Sequence, residues 1–178
     1  MVKALIIIDM IKGNMNNIYN AKEIINNQLQ LIKKFNKRSY PVIIVTSHKR
    51  SSSNPVMLRL WGKEFAGKPH LKELIPKIKN AQKTKLIQKE AYSAFFKTDL
   101  EKYCKQNKIK ELYFCGVYSG VCVYFSAVDA AYRHIQPYLV SDASSTENRV
   151  WDKENSRRFQ RVIGPLITTK QLLKEMSK

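Results

Sequence analysis

An α/β fold, a single three-layer domain built on a doubly wound parallel sheet of about six strands, is the class this sequence predicts. Three observations carry it. Short, near-continuous apolar runs, as expected of strands covered on both faces, alternate with segments of helical periodicity. The length of 178 residues suits one domain, large enough to bury roughly 70% of its unfolded surface. No internal repeat, low-complexity tract or domain linker interrupts the alternation, so residues 1–178 are expected to form one domain.

Val2 to Ile8 is the first buried strand. Ala21 to Phe35 follows as an amphipathic helix, with Ile24, Ile25, Leu29, Leu31, Ile32 and Phe35 near the three-and-four spacing that puts apolar side chains on one face. Pro41 to Thr46 is the second strand. Ser47 to Lys83 is irregular, broken by Ser51-Ser-Ser-Asn-Pro55, Gly62, Gly67 and Pro69. A connection of that length in a compact domain reads as a lid or pocket wall. Lys85 to Gln88 is a short third strand. A helix over Asp99 to Gln106 follows, with Thr98 as its N-cap. Glu111 to Cys115 is the fourth strand, and Val121 to Arg133 the helix after it. Pro137 to Ser141 forms the fifth strand, Asp152 to Val162 a polar helix, Pro165 to Thr168 a sixth strand, and Thr169 opens the last helix.

Composition narrows the classes. An apolar fraction of 44% with 10% aromatics excludes a disordered chain. No apolar run approaches the ~20 residues of a membrane helix, so no membrane partner is expected. The N-terminus lacks the charged start and small-residue cleavage site of a signal peptide, and three irregularly spaced cysteines argue against a disulfide framework. A cytoplasmic protein is expected. The net charge of +18 raises nucleic-acid binding. The lysines, however, are scattered (Lys77, Lys79, Lys83, Lys85, Lys102, Lys105, Lys108, Lys110), and there is no arginine-rich arm, Gly-aromatic motif or zinc-finger spacing. Nucleic acid is therefore not expected as a partner beyond weak non-specific attraction.

Three chemistry-bearing residues end strand-like runs. Asp9 closes the first, Lys89 the third, and Cys122 stands where Glu111-Leu-Tyr-Phe-Cys-Gly-Val-Tyr-Ser-Gly-Val-Cys122 passes into a helix. Taken singly, Asp9 reads as a turn cap, Lys89 as a surface lysine and Cys122 as a small buried hydrophobe. Together they fall at carboxyl ends, where doubly wound sheets bind ligands at the point of strand-order reversal. If the first and fourth strands are neighbours there, Asp9 and Cys122 face each other. A helix N-terminus carries partial positive charge, which favours thiolate over thiol. Cys104 and Cys115 read as packing residues.

The chain resembles the isochorismatase-like cysteine hydrolases, a superfamily that includes nicotinamidases, N-carbamoylsarcosine amidases and ureidoacrylate amidohydrolases. The resemblance rests on Leu5-Ile-Ile-Ile-Asp9, Lys89-Glu-Ala-Tyr-Ser-Ala-Phe-Phe96 with Thr98-Asp99-Leu100, Cys115-Gly-Val117 running to Cys122-Val123, and Ser141-Asp142-Ala143, all in order along nearly the whole chain. It implies the Rossmann-like strand order 3-2-1-4-5-6. It also implies Cys122 as nucleophile, Asp9 as general base and Lys89 as third member of the triad, a cis peptide between Val117 and Tyr118, and an oxyanion hole from the N–H groups of Tyr118 and Cys122. It further implies a small-molecule substrate and a homo-oligomer.

Two departures stand out. Tyr118-Ser-Gly-Val121 occupies a stretch where relatives have a small residue and then Thr-Asn or similar, so Tyr118 narrows the pocket or lends it a hydroxyl. Nicotinamidases bind a metal through an Asp-x-His pair and a later His; here Thr46-Ser-His48 lacks the Asp and leaves only His48 and His70. No metal or other cofactor is expected. Members that cleave the isochorismate vinyl ether lack the cysteine, so Cys122 points to C–N bond cleavage. Trp61 and Phe95 are candidate pocket residues, with core packing as the alternative for each. Two other readings compete: a polyanion-binding protein on an inactive hydrolase scaffold, and a thiol redox protein, which the absence of Cys-x-x-Cys disfavours.

Overall fold

The computed structural model describes residues 1–47, 69–177 and, within the stretch between, Val56 and Arg59. It contains a six-stranded sheet in the order β3-β2-β1-β4-β5-β6, every neighbouring pair parallel. The strands are β1 Val2–Ile8, β2 Val42–Ser47, β3 Thr84–Lys89, β4 Ile109–Val117, β5 Gln136–Ser145 and β6 Leu166–Ile167. The helices are α1 Lys12–Met15, α2 Ala21–Lys37, α3 Pro76–Lys79, α4 Leu100–Gln106, α5 Cys122–Tyr132, α6 Arg149–Val162 and α7 Thr169–Glu175, with a 3₁₀ turn at Pro69–Lys72.

Alternation along the strands sorts the core into two layers. Leu5 and Ile7 of β1, Val42 and Ile44 of β2, and Tyr113, Cys115 and Val117 of β4 face the side covered by α2 and α7. Ala4, Ile6, Ile8, Ile43, Val45, Leu112 and Phe114 face the other side, packed against Leu100 and Cys104 of α4, Val123, Ala127 and Ala130 of α5, and Phe159 of α6. The stripe that α2 buries is Ile24, Gln28, Leu31, Ile32 and Phe35. That spacing is what a helix lying along a sheet requires. Phe35 meets the Tyr113 ring edge-on at 6.0 Å.

Several boundaries differ from the sequence reading. α4 takes Asp99 as its N-cap residue with no side-chain cap bond. Thr98 contributes instead from one position earlier, its hydroxyl accepting from Leu100 N at 3.2 Å and donating to the Ala94 carbonyl. α6 starts at Arg149, because Asn148 caps it by accepting from Trp151 N at 3.0 Å. The irregular stretch after β2 contains the 3₁₀ turn and α3 among its described residues. β5 runs on to Ser145 through polar residues that find partners: Asp142 accepts from Thr169 N (2.7 Å) and Oγ1 (2.8 Å), and the Ser145 hydroxyl donates to the Tyr19 carbonyl at 2.8 Å.

Candidate active site

Strand order places the site. β1 and β4 are the two central neighbours, on either side of which the chain winds in opposite directions, and their carboxyl ends open the crevice where such sheets bind ligands. Register pairs Ile8 with Gly116 across that boundary and Ser47 with Lys89 across β2 and β3. Asp9 therefore leaves the sheet beside Val117, with Ser47 and Lys89 on its other side. Gly116 makes the close approach possible. Its φ of +115° is one that L side chains rarely adopt, and a Cβ there would overlap the Ile8 backbone.

Asp9 itself turns sharply, with φ of 52°. Its N–H donates to the Val45 carbonyl at 2.9 Å, and its own carbonyl accepts from Asn14 Nδ2 at 2.9 Å and Ile11 N at 2.8 Å. This turn aims the carboxylate into the crevice. Ser47 meets it with two donors, N–H and hydroxyl, each 2.9 Å from Oδ1. The Lys89 ammonium takes the other oxygen, Oδ2, at 2.8 Å. Lys89 also donates to the Ala91 carbonyl at 3.0 Å, the Ser47 hydroxyl at 3.3 Å and Cys122 Sγ at 3.4 Å. Cys122, half-buried, is the first residue of α5, a position with no intrahelical acceptor for its N–H. The ammonium thus lies within hydrogen-bond reach of both the carboxylate and the sulfur.

The charges are coupled. Burial works against the Lys89 ammonium, but the neighbouring Asp9 charge and Cys122, with the hydrogen bonds to each, outweigh it and hold the group above its ordinary range. Burial pushes the Cys122 thiol up to about 12; Lys89 pulls it down and the Asp9 carboxylate pushes it up. The helix N-terminus favours thiolate, but burial and the Asp9 charge push the other way. Desolvation beside an anion wins, and the resting site holds a thiol next to a carboxylate.

The loop between β4 and α5 is pinned from two sides. The Val117–Tyr118 peptide is cis. Ser119 N donates to the Ser145 carbonyl at 2.8 Å, while the Ser119 hydroxyl donates to Asp152 Oδ1 at 3.3 Å and accepts from Asn155 Nδ2 at 3.1 Å. Tyr118 is buried, its carbonyl accepting from Val121 N and Val123 N. Phe95 is also buried, in the layer against which Cys122 packs, beneath the Arg133 guanidinium at 5.0 Å from its ring centroid. Its observed contacts are those of a core residue. Trp61 and His48 lie outside the described residues.

Thr46 stands where the resemblance puts a metal-binding Asp. Its buried hydroxyl has no hydrogen-bond partner among the described residues and brings no negative charge. His70 is exposed, and Glu73 is paired with Lys12 at 2.8 Å. No group of three or more His, Cys, Asp or Glu is placed to hold a metal among the described residues. These donors do not fit such an ion, and no step below is routed through one.

Sequence reasoning missed Ser47 and Asn14, both touching Asp9. The signal for Ser47 was present: a polar residue ending a buried strand, level with Lys89 at the carboxyl edge of the sheet.

The fold and site together define a doubly wound α/β protein with a cysteine, a carboxylate and an ammonium gathered at its switch point. The chain belongs to the isochorismatase family: that family's model, the isochorismatase domain, matches residues 3–171. A probable isochorismatase of Pseudomonas chlororaphis is 39% identical over 83 residues, which make up 47% of this chain and 40% of the relative; less than half of that relative's length is covered. Among solved structures, the nicotinamidase/pyrazinamidase of Bacillus subtilis superposes with a TM-score of 0.80 at 26% identity, covering 93% of this chain and 99% of that one. A cysteine hydrolase from Pseudomonas syringae pv. phaseolicola shares the fold with a TM-score of 0.89 at 18% identity over 98% of this chain and 92% of that one. No helix among the described residues is long and apolar enough to cross a membrane.

Proposed function

We propose that this protein hydrolyses the amide or ureido C–N bond of a small molecule through a thioester on Cys122, with Asp9 as proton carrier and Lys89 holding it in place. The observation that carries this reading is the meeting of Lys89 Nζ with Asp9 Oδ2 at 2.8 Å and Cys122 Sγ at 3.4 Å. The names of structural relatives, a nicotinamidase/pyrazinamidase and an N-carbamoylsarcosine amidase, support the same bond type.

In this mechanism Asp9 takes the thiol proton as Sγ attacks the carbonyl carbon, so that the raised thiol is ionised only as the bond forms. Negative charge moves to the carbonyl oxygen, which the N–H groups of Tyr118 and Cys122 receive; fixed donors of this kind lower such a barrier by roughly 3 kcal/mol each. The C–N bond breaks as the carbonyl reforms, and the leaving nitrogen takes the proton from Asp9. Water then gives a proton to Asp9 and adds to the thioester; the C–S bond breaks and the sulfur recovers its proton. One amide and one water yield one acid and one amine.

The free cysteines, all three unpaired, suit a reducing cytoplasm, where we place the enzyme. We take it to act as a homo-oligomer, a state that light scattering on the eluting protein would establish. The functional test is a panel of nicotinamide, N-carbamoyl amines and simple amides assayed for ammonia release. Turnover of at least one, abolished in Cys122→Ala, is expected; turnover that Cys122→Ala retains in full overturns the mechanism.

A further inference from the structure

We infer that Ser47 is a positioning residue for the Asp9 base, an inference that rests on the triad reading above. The argument begins with strand spacing. Lys89 ends β3 and Asp9 directly follows β1, with β2 between them. Neighbouring strands lie ~4.8 Å apart, so the ammonium has to cross roughly 10 Å of sheet edge to reach the carboxylate. Ser47 ends β2 directly in that path, paired in register with Lys89. A small side chain there lets Lys89 pass over it, and Lys89 Nζ lies 3.3 Å from its hydroxyl.

The hydroxyl's orientation follows from counting protons. Lys89 has only donors, so Ser47 Oγ accepts from it and must turn its own hydrogen to Asp9 Oδ1, 2.9 Å away. The backbone N–H of the same residue donates to the same oxygen at 2.9 Å. Oδ1 is thereby held by two donors from one residue while Oδ2 faces the Lys89 ammonium. The carboxylate cannot rotate without breaking three interactions at once, so its direction in the crevice is fixed. Ser47 touches no reacting carbon or sulfur. It acts through Asp9, favouring the ionised form that must be present before each acylation.

The test uses p-nitrophenyl acetate, whose acyl transfer to Cys122 releases a burst of nitrophenolate whatever the natural substrate is. The burst rate is followed against pH in the wild type and in Ser47→Ala, Ser47→Thr and Ser47→Val. Loss of the hydroxyl in Ser47→Ala is expected to slow acylation about tenfold and to move the acid limb of the profile up by about one pH unit, the order of one hydrogen bond to a charged group. Ser47→Thr restores both, and Ser47→Val, which differs from it by the hydroxyl alone, reproduces Ser47→Ala and stands in for it if alanine does not fold. A purely structural role lowers the rate without moving the limb. An unmoved limb, or threonine as impaired as valine, overturns the inference while leaving the triad intact. A wild-type burst that Cys122→Ala retains, or no burst at all, removes the triad reading and this inference with it.

Discussion

Lys89 and Asp9 meet at 2.8 Å with side chains only 1% and 4% exposed, so each is the other's principal counter-charge in a site almost closed to water. Removing one member of such a pair leaves an uncompensated buried charge. Lys89→Met is expected to lower stability by about 3–5 kcal/mol and to abolish hydrolysis, and Asp9→Asn added to it should recover part of the stability but none of the activity. Thermal unfolding of the two variants measures this. A Lys89→Met protein as stable as the wild type contradicts the pairing.

The same site sets an alkaline limit on stability. Lys89 and Cys122 both hold their protons more tightly in the folded chain than in the unfolded one. Their contribution is therefore whole below the unfolded values, ~8.5 for cysteine and ~10.4 for lysine, and is lost as pH climbs past them, toward about 12 for Cys122. Buried Cys104, pushed up to about 12 by burial, acts in the same direction. Denaturation midpoints should fall steadily above pH ~8.5, and Cys122→Ala should flatten the first part of that fall. A midpoint that rises across this range contradicts the assignment.

Thiol chemistry should follow exposure and the same shifts. Cys104 and Cys115 are buried, and burial pushes both thiols up. Cys122 alone is half-buried, so iodoacetamide should label it first, as peptide mapping would show. Its rate should keep climbing between pH ~7 and ~10, since only the thiolate reacts. A plateau already reached at neutral pH would mean a thiolate at rest and would contradict the thiol–carboxylate resting state.

Backbone geometry at the β1–β4 boundary makes Gly116 a sharp probe. Alanine there must accept a φ of +115° and drive its methyl group into the Ile8 backbone, one residue before Asp9. Gly116→Ala should cost at least about 3 kcal/mol, and should disable the site even where the protein still folds. His134 offers the converse case. It ends α5 in the left-handed conformation, φ 58°, with Ile135 N bonded to the Ala130 carbonyl and His134 N to that of Ala131. That is the Schellman arrangement, which glycine enters without strain. His134→Gly should stabilise the fold by about 1 kcal/mol with activity unchanged; a lower melting temperature contradicts it.

What the sequence made legible was what periodicity and apolar runs encode. β1 is Val2–Ile8 as read, and the parallel direction of the strands follows from the alternation of strands and helices, while their order is what the family resemblance implies. Hidden were features that depend on which partner a polar side chain finds in the fold. Asp142, Ser144 and Ser145 look like loop residues, yet they continue β5 because Thr169, Val140 and Tyr19 satisfy them. α1 has no amphipathic pattern in Lys-Gly-Asn-Met; it forms where Asn14 folds back on the Asp9 carbonyl. Asp9, Lys89 and Cys122 were visible because each closes or follows a strand-like run. The upward push on the Cys122 thiol was hidden because helix polarity is local, whereas burial, the larger cause, and the Asp9 charge depend on residues far away in the chain.

The most direct measurement is mass spectrometry of the enzyme quenched during turnover of an amide it hydrolyses. An acyl group on the peptide carrying Cys122, formed and lost at the rate of turnover and absent from Asp9→Asn, is the result this mechanism requires. Steady turnover with no adduct on that peptide, or an adduct on Cys104 or Cys115 instead, would contradict it.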